Sequence, residues 1–158
     1  KGCSRYASGQ DRLLVLIDYT KPSTEKRFYI LDLLQKKLLL STYVAHGRGS
    51  GDNYAVAFSN RPGSYQSSLG FFRTGDTYMG KNGYSLFLDG LEKGINDKAR
   101  ERAIVVHGAN YADPAVLKGQ QRLGRSLGCP ALPPDISKQV IDTIKGGVLL
   151  YIYGLNKA

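Results

Sequence analysis

The stretch Phe28-Tyr29-Ile30-Leu31-Asp32-Leu33-Leu34 decides how the rest of this chain is interpreted. Successive side chains of an extended strand point to opposite faces, so this segment presents largely apolar residues on both sides. A strand that is apolar on both faces is typical of a central, covered position in a sheet. The sequence therefore predicts a β-sheet domain with this segment inside it.

Apolar, β-branched and aromatic runs on both sides of this stretch predict further strands. The predicted strands are Leu13–Tyr19, Phe28–Leu34, Lys37–Val44, Ser67–Thr74, Tyr84–Leu88, Ala103–His107 and Val148–Tyr153. The pair Gln35-Lys36 lies where a hairpin turns between the second and third of them. Nineteen glycines, clustered in 47–51, 63–94 and 119–128, indicate long loops between the strands.

One helix is clear in the sequence. Apolar residues recur at helical spacing to form a single stripe of Ile136, Val140, Ile141 and Ile144, with prolines before it and Gly146 after it. This pattern predicts a helix over about 134–145, and a short helical turn is expected at Asn96–Arg102. The fold class expected is mostly β, a sandwich or barrel with one main helix and short helical turns.

Size and charge limit the possible functions. A chain of 158 residues fits one domain, which we expect over 13–158 after an N-terminal segment, 1–12. Its longest apolar runs are far shorter than the roughly 20 residues that a membrane-spanning helix needs. The net charge of +9 favours an anionic partner, which leaves nucleic acid, an anionic surface and an anionic polymer open.

Two features point to cysteine chemistry. His107 ends the apolar stretch 104–107, and Cys129 follows a small turn with Gly128 and comes before the predicted helix. A histidine within hydrogen-bond reach can take the proton of a thiol and so activate it as a nucleophile. Backbone N–H groups of Leu127, Gly128 and Cys129 would then be candidates for an oxyanion hole. Equally, a lone buried cysteine is often inert packing, and a histidine at a strand end is often structural.

The motifs together resemble those of a known family. His107-Gly108 followed by Ser126-Leu127-Gly128-Cys129 is similar to the signature of L,D-transpeptidase catalytic domains, the YkuD-like family, in its murein sub-branch. The similarity extends over roughly Leu13 to Gly154. It implies a cysteine acyltransferase that acts on peptidoglycan stem peptides, with no cofactor and no metal.

The resemblance also implies roles for individual residues. Cys129 matches the nucleophile that would form a thioester with the donor stem, and an amine of a neighbouring acceptor stem would then form the cross-link. His107 matches the base, oriented by the carbonyl of Gly108, although Asn110 is a second candidate for that role by analogy with papain-like sites. Ser126 matches a hydroxyl that organises the turn.

The sequence departs from the usual family pattern near the cysteine. Leu127 stands where a histidine is common, and Pro130-Ala131 follows the cysteine where relatives carry an apolar residue and then Arg or Asn. Arg122 or Arg125 is therefore expected to contact the substrate carboxylate. His46 and Arg48, in a second His-Gly loop, are further candidates for substrate binding.

Other kinds of site are disfavoured. The run Gly49-Ser50-Gly51 lacks the ending of a phosphate-binding loop. A zinc site assembled from Cys3, His46, His107 and Cys129 lacks close ligand spacing. A disulfide between Cys3 and Cys129 would block the nucleophile, and two cysteines do not make a disulfide framework.

The leading hypothesis is an L,D-transpeptidase of the bacterial cell envelope, located in the periplasm. Hydrolysis of the thioester would instead make it an L,D-carboxypeptidase or endopeptidase. A non-catalytic basic module that binds an anionic polymer is the alternative from a different class. Nucleic acid is the less favoured partner because no single-strand-binding signature accompanies the tyrosines. The sequence leaves the oligomeric state, the exact bond and any preceding segment open, since the chain starts at Lys1 without a leader.

Overall fold

The computed structural model describes residues 12–157, which form one eight-stranded sheet and one helix. The strands are β1 (Leu13–Asp18), β2 (Phe28–Asp32), β3 (Lys37–Thr42), β4 (Gly70–Gly80), β5 (Gly83–Gly90), β6 (Val105–Gly108), β7 (Ala131–Leu132) and β8 (Leu149–Tyr153). The helix α1 spans Pro134–Ile144, and short 3-10 turns lie at Arg48–Ser50, Asn110–Ala112 and Pro114–Lys118. The expected mostly β class is confirmed.

The sheet nearly closes into a barrel. Its strand order is β3-β2-β1-β8-β4-β5-β6-β7. Just beyond the end of β3, Ala45 exchanges backbone hydrogen bonds with Ala131 of β7, at 2.8 and 3.2 Å. The two edges of the sheet therefore meet at this bridge. The loop that follows β3 is thereby brought against the segment that carries Cys129.

The core lies between the sheet and α1. Val140, Ile141 and Ile144 of α1 are fully buried and pack with strand residues such as Val106 and Leu86. Pro134 lies in the first turn of the helix, where its missing N–H costs nothing. The apolar stripe predicted from the sequence is thus the face that fixes α1 against β5 and β6.

Several sequence-based boundaries change in the structure. Residues 96–102 form a succession of turns and not a helix, with backbone bonds such as Arg102 N–H to Lys98 O. The strand predicted at 67–74 begins at Gly70 and continues to Gly80, where it forms a long hairpin with β5. The two-residue strand β7 was not predicted. The predicted N-terminal segment lies outside the described residues except for Arg12, and so does Cys3.

Candidate active site

The ends of several elements surround a cavity of about 450 Å³. His107 comes from β6, Cys129 from the turn before β7, and Lys81 and Asn82 from the tip of the β4–β5 hairpin. The lining residues are Tyr78, Lys81, Asn82, Arg102, Ala103, Ile104, Val105, His107, Tyr111, Arg125, Ser126, Leu127 and Cys129. The cavity thus brings together the histidine and the cysteine that the sequence singled out.

The His107 ring is held in one tautomer. Its Nδ1 lies 2.9 Å from the carbonyl oxygen of Gly108. A carbonyl only accepts hydrogen bonds, so Nδ1 carries the proton and Nε2 has the free lone pair of a base. The side chain is buried, and burial lowers the pKa of His107 below its ordinary value. Asn110, the second candidate for orienting the ring, is exposed at the start of a 3-10 turn.

Cys129 has a free thiol that stays partly exposed. Its Sγ accepts a hydrogen bond from Val105 N–H and donates one to Ala103 O, each at 3.4 Å. Burial raises the pKa of the Cys129 thiol, with the hydrogen bond from Val105 and the charge of Arg102 acting in the opposite direction. Among residues 12–157, therefore, the thiol bonds to backbone groups and not to the His107 ring.

Pairing of the backbone sets the positions of these two side chains. His107 is the register partner of Ala131 in the parallel pair β6–β7, and its N–H lies 3.4 Å from Pro130 O. Cys129 therefore precedes the partner of His107 by only two residues. Hydrogen bonds between catalytic groups are often long or absent without substrate and form in the complex. The register of β6 and β7 thus brings Cys129 and His107 to the same cavity.

Ser126 holds the turn before the cysteine. Its Oγ donates to Cys129 O at 2.6 Å and accepts from Gly128 N–H at 3.1 Å. The N–H of Gly128, one of the three groups predicted for an oxyanion hole, is therefore already used. The backbone N–H groups of Leu127 and Cys129 have no hydrogen-bond acceptor within residues 12–157. These two groups remain available to bind a developing oxyanion.

A second loop supports this turn from behind. Ser67 Oγ accepts from Gly47 N–H at 3.0 Å and donates to Gly128 O at 3.2 Å. A Cβ on Gly47 would lie 2.8 Å from the Cα of Gly128, and Gly128 itself has φ +130°. Both positions thus require glycine, one for close approach and the other for its backbone conformation.

Arg102 is a cation beside the turn that sequence analysis missed. Its guanidinium donates to the carbonyls of Ser59 and Gln66 and to the hydroxyls of Ser64 and Ser68, at 2.8–3.2 Å. All four acceptors are neutral, so none of them compensates the positive charge. The Nη2 atom lies 3.4 Å from where a Cβ on Gly128 would be. This arrangement anchors the loop of residues 59–68 and holds a fixed positive charge next to the turn that carries Cys129.

The cavity is strongly cationic. Lys81, Arg102 and Arg125 line it, and among the described residues no Asp or Glu does. Arg125 also donates a hydrogen bond to Asp52 Oδ1 at 3.1 Å. Asp52 is exposed to solvent and does not line the cavity. Tyr111 contributes an aromatic wall, and burial raises its pKa to about 12, so its hydroxyl stays protonated near neutrality. A ligand with one or more carboxylates fits this lining.

His46 lies beneath the site and not among the cavity residues. Its side chain is 1% exposed. The ring accepts a hydrogen bond at Nδ1 from Arg27 Nη2 at 2.9 Å and donates from Nε2 to Gly51 O at 3.1 Å. Burial and the charge of Arg27 lower the pKa of His46 to about 4. In this structure His46 is thus a neutral ring that fixes the glycine-rich loop.

Two further arginines predicted to bind substrate lie outside the lining. Arg48 is exposed and stacks over the Tyr65 ring, with Cζ 4.6 Å from the ring centroid. Arg122 donates to Leu123 O at 3.0 Å and lies 4.0 Å from Asp52. Of the four residues proposed for substrate contact, the cavity includes Arg125. Their roles in binding remain predictions.

The sequence of the chain matches a family of known catalytic domains. The family model described as the L,D-transpeptidase catalytic domain, YkuD_2, matches residues 2–153. The chain belongs to the L,D-transpeptidase catalytic domain family. The matched residues include both His107 and Cys129. The match confirms the resemblance noted from the sequence. No curated protein sequence shows a significant match to the chain.

Solved structures share the fold at low sequence identity. The helical cell shape determining protein Pgp2 from Campylobacter jejuni is 14% identical, with a TM-score of 0.62 over 98% of this chain and 55% of its own. An L,D-transpeptidase from Stackebrandtia nassauensis is 13% identical, with a TM-score of 0.55 over 98% of this chain and 61% of its own. LdtMt1 in complex with imipenem is 14% identical, with a TM-score of 0.53 over 90% and 59%. This L,D-transpeptidase domain thus spans less than two thirds of the length of these relatives.

Proposed function

We propose that this chain is a cysteine L,D-transpeptidase that joins peptidoglycan stem peptides through a thioester on Cys129. The observation that carries the proposal is that Cys129 and His107 line the same cavity. A free thiol and a histidine with an unprotonated Nε2 line the same space, next to two unused backbone N–H groups. Family membership supplies the substrate class.

In the acylation half-reaction, Sγ of Cys129 attacks the carbonyl carbon of the donor amide, and His107 Nε2 takes the thiol proton. The carbonyl oxygen becomes an oxyanion that the N–H groups of Leu127 and Cys129 can bind. The C–N bond then breaks, His107 protonates the leaving amine, and a thioester remains.

In the second half-reaction an amine of the acceptor stem attacks the thioester. A new C–N bond forms, the C–S bond breaks, and His107 moves the amine proton back towards sulfur. The cationic lining formed by Lys81, Arg102 and Arg125 suits stem peptides, which carry carboxylates. A cell-envelope location follows from this substrate, and we place the protein in the periplasm.

The nucleophile is tested with Cys129→Ala on the full chain, with Cys3→Ser as the matched control. Incubation with a carbapenem should give a covalent adduct by intact mass for the wild type and for Cys3→Ser, and none for Cys129→Ala. Imipenem is a suitable reagent, since a relative of the same fold is known in complex with it. An adduct on Cys129→Ala would show that another residue is the nucleophile.

The reaction is tested by incubating purified muropeptides with each variant and analysing the products by mass. A cross-linked dimer with release of D-Ala supports transfer, and Cys129→Ala should lower its rate by about 10³-fold or more. Release of D-Ala without dimers would show hydrolysis instead. A non-catalytic binding module would be favoured by two results together. No variant would give a product, and Cys129→Ala would bind to sacculi as well as the wild type does.

A further inference from the structure

A second feature of the chain lies at the turn of the β2–β3 hairpin, which contributes no residue to the lining of the cavity. Four leucines at the β2–β3 hairpin are exposed to solvent, Leu33 at 39%, Leu34 at 74%, Leu38 at 52% and Leu39 at 44%. We call residues 33–39 the leucine tip. Large apolar side chains exposed next to one another in this way indicate an interaction surface more than isolated ones do.

A β-bulge in β3 produces part of this exposure. Ile30 pairs with Leu40, but Leu31 pairs with Leu38, so Leu39 is an extra residue in β3. Without the bulge, Leu38 would face the same side as buried Ile30. The bulge turns Leu38 to the other side, so the exposed leucines are not confined to one face of the hairpin. Leu38 and Leu39 accordingly line two different shallow depressions.

The leucine tip is also positively charged. Lys36 and Lys37 are exposed between the leucine pairs. The acidic residue of this hairpin, Asp32, is 2% exposed and is paired with Arg12 at 2.9 Å. Its Oδ1 also accepts the N–H groups of Leu34 and Gln35, both at 3.0 Å. The carboxylate is therefore neutralised within the fold, and the charge that the tip presents to solvent is that of its lysines.

From these observations we propose that the leucine tip docks the protein onto an anionic lipid bilayer. Apolar side chains that point to both sides of a narrow hairpin can enter the acyl region together, whereas a flat protein partner would cover one side only. Lysines between them would lie at the level of the lipid phosphates, and the net charge of +9 adds long-range attraction. The described residues contain no helix long and apolar enough to span a membrane, so this contact is peripheral.

The leucine tip and the cavity are separate surfaces of the protein. From Lys37 to Ala45, where the loop reaches β7, β3 and its extension run for about eight residues, or roughly 25 Å. The leucine tip shares no residue with the cavity of Cys129. A protein docked in this way would leave the lining of the cavity outside the contact.

Insertion can be tested directly because the chain has no tryptophan. Leu34→Trp places a single reporter at the tip, and Ile95→Trp places one at another exposed apolar position, outside the tip. With vesicles of phosphatidylethanolamine and phosphatidylglycerol, the emission of Leu34→Trp should shift to the blue and be quenched by brominated lipid. The emission of Ile95→Trp should stay unchanged. Equal behaviour of the two reporters would overturn the proposal.

Affinity is tested by co-sedimentation with the same vesicles and with phosphatidylcholine alone. Leu34→Asp should abolish binding, while Ile95→Asp should not. Removing Lys36 and Lys37 by glutamine substitution should weaken binding about fivefold each, and removing exposed Lys93 and Lys118 should have a smaller effect. Carbapenem acylation of Cys129 should be the same in all these variants, which separates this proposal from that of the enzyme activity.

Two results would contradict lipid docking. Failure of the wild type to sediment with anionic vesicles at low salt is one. The other is a wild type that does not bind vesicles but forms a concentration-dependent dimer, which the substitution Leu34→Asp dissociates. That result would make the leucine tip a contact between copies of this chain.

Discussion

Cys129 and His107 are both neutral before substrate binds. Burial raises the pKa of the thiol and lowers that of the imidazole, so the resting pair is a thiol and a neutral base. In the structure each group is bonded to the backbone, so the proposed reaction requires proton transfer in the same step as attack by sulfur.

The resting protonation states predict two pH profiles. His107 acts as a base only when unprotonated, so its lowered pKa should place the acid limb of kcat/KM below pH 6.5. Iodoacetamide should alkylate the thiol with an apparent pKa above 9.0, since burial raises it from that value. Both are measured in a Cys3→Ser background, so that Cys129 is the thiol observed. Fast alkylation at pH 6 would contradict this assignment and indicate a resting thiolate.

At the scale of elements, one side chain joins parts of the chain that are distant in sequence. Arg102, at the end of a run of turns before β6, bonds to the loop 59–68 and lies against the turn of Gly128. It lowers the pKa of Cys129 through its charge. Arg102 is thus placed to support this turn and to act on the Cys129 thiol through its charge.

Substitution of Arg102 should separate these two roles. Arg102→Gln removes the charge, so the apparent pKa of Cys129 should rise further and alkylation at neutral pH should slow. Arg102→Lys keeps the charge but loses the planar guanidinium and its several hydrogen bonds. In this variant the pKa of the Cys129 thiol should change less than in Arg102→Gln. The thermal stability of both variants should fall. If the two variants share one unchanged alkylation profile, Arg102 acts through loop packing alone.

At the scale of the whole molecule, a buried cation lies under the point where the barrel closes. Arg27 is fully buried, and its guanidinium donates to Val44 O, Lys21 O and the His46 ring. Burial lowers the pKa of Arg27 to about 10. These bonds join the start of β2 to the loop after β3, so the closed sheet and the glycine-rich loop depend on the same buried group.

The buried His46 ring should make the fold sensitive to acid. Its folded pKa is about 4 against an ordinary value of 6.5, so between these values the unfolded chain binds a proton that the folded chain does not. The free energy of unfolding should therefore fall by about 3 kcal/mol as the pH drops from 6.5 to 4. His46→Gln can keep both hydrogen bonds without titrating, and urea titrations should show a smaller loss. An equal loss in His46→Gln would assign the effect to other groups.

Much of this protein follows from local sequence pattern. The strands β1, β2, β3 and β8 and the stripe of α1 follow from side-chain periodicity, which depends on neighbouring residues alone. The pairing of His107 with Cys129 was also inferred from motif and spacing. An Asn-Gly pair at 82–83 is a hairpin signal that could have predicted the β4–β5 turn, but sequence reading missed it.

Only the tertiary structure decided the rest, because those features depend on groups far apart in the chain. β7 is two residues long and is a strand only because His107 and Ala45 flank it. Arg102 finds acceptors 34 to 43 residues away, and Ser67 reaches Gly128 over 61. The burial that makes His46 structural and keeps Cys129 protonated likewise arises when the sheet closes, and local periodicity carries no information about which distant segments then meet.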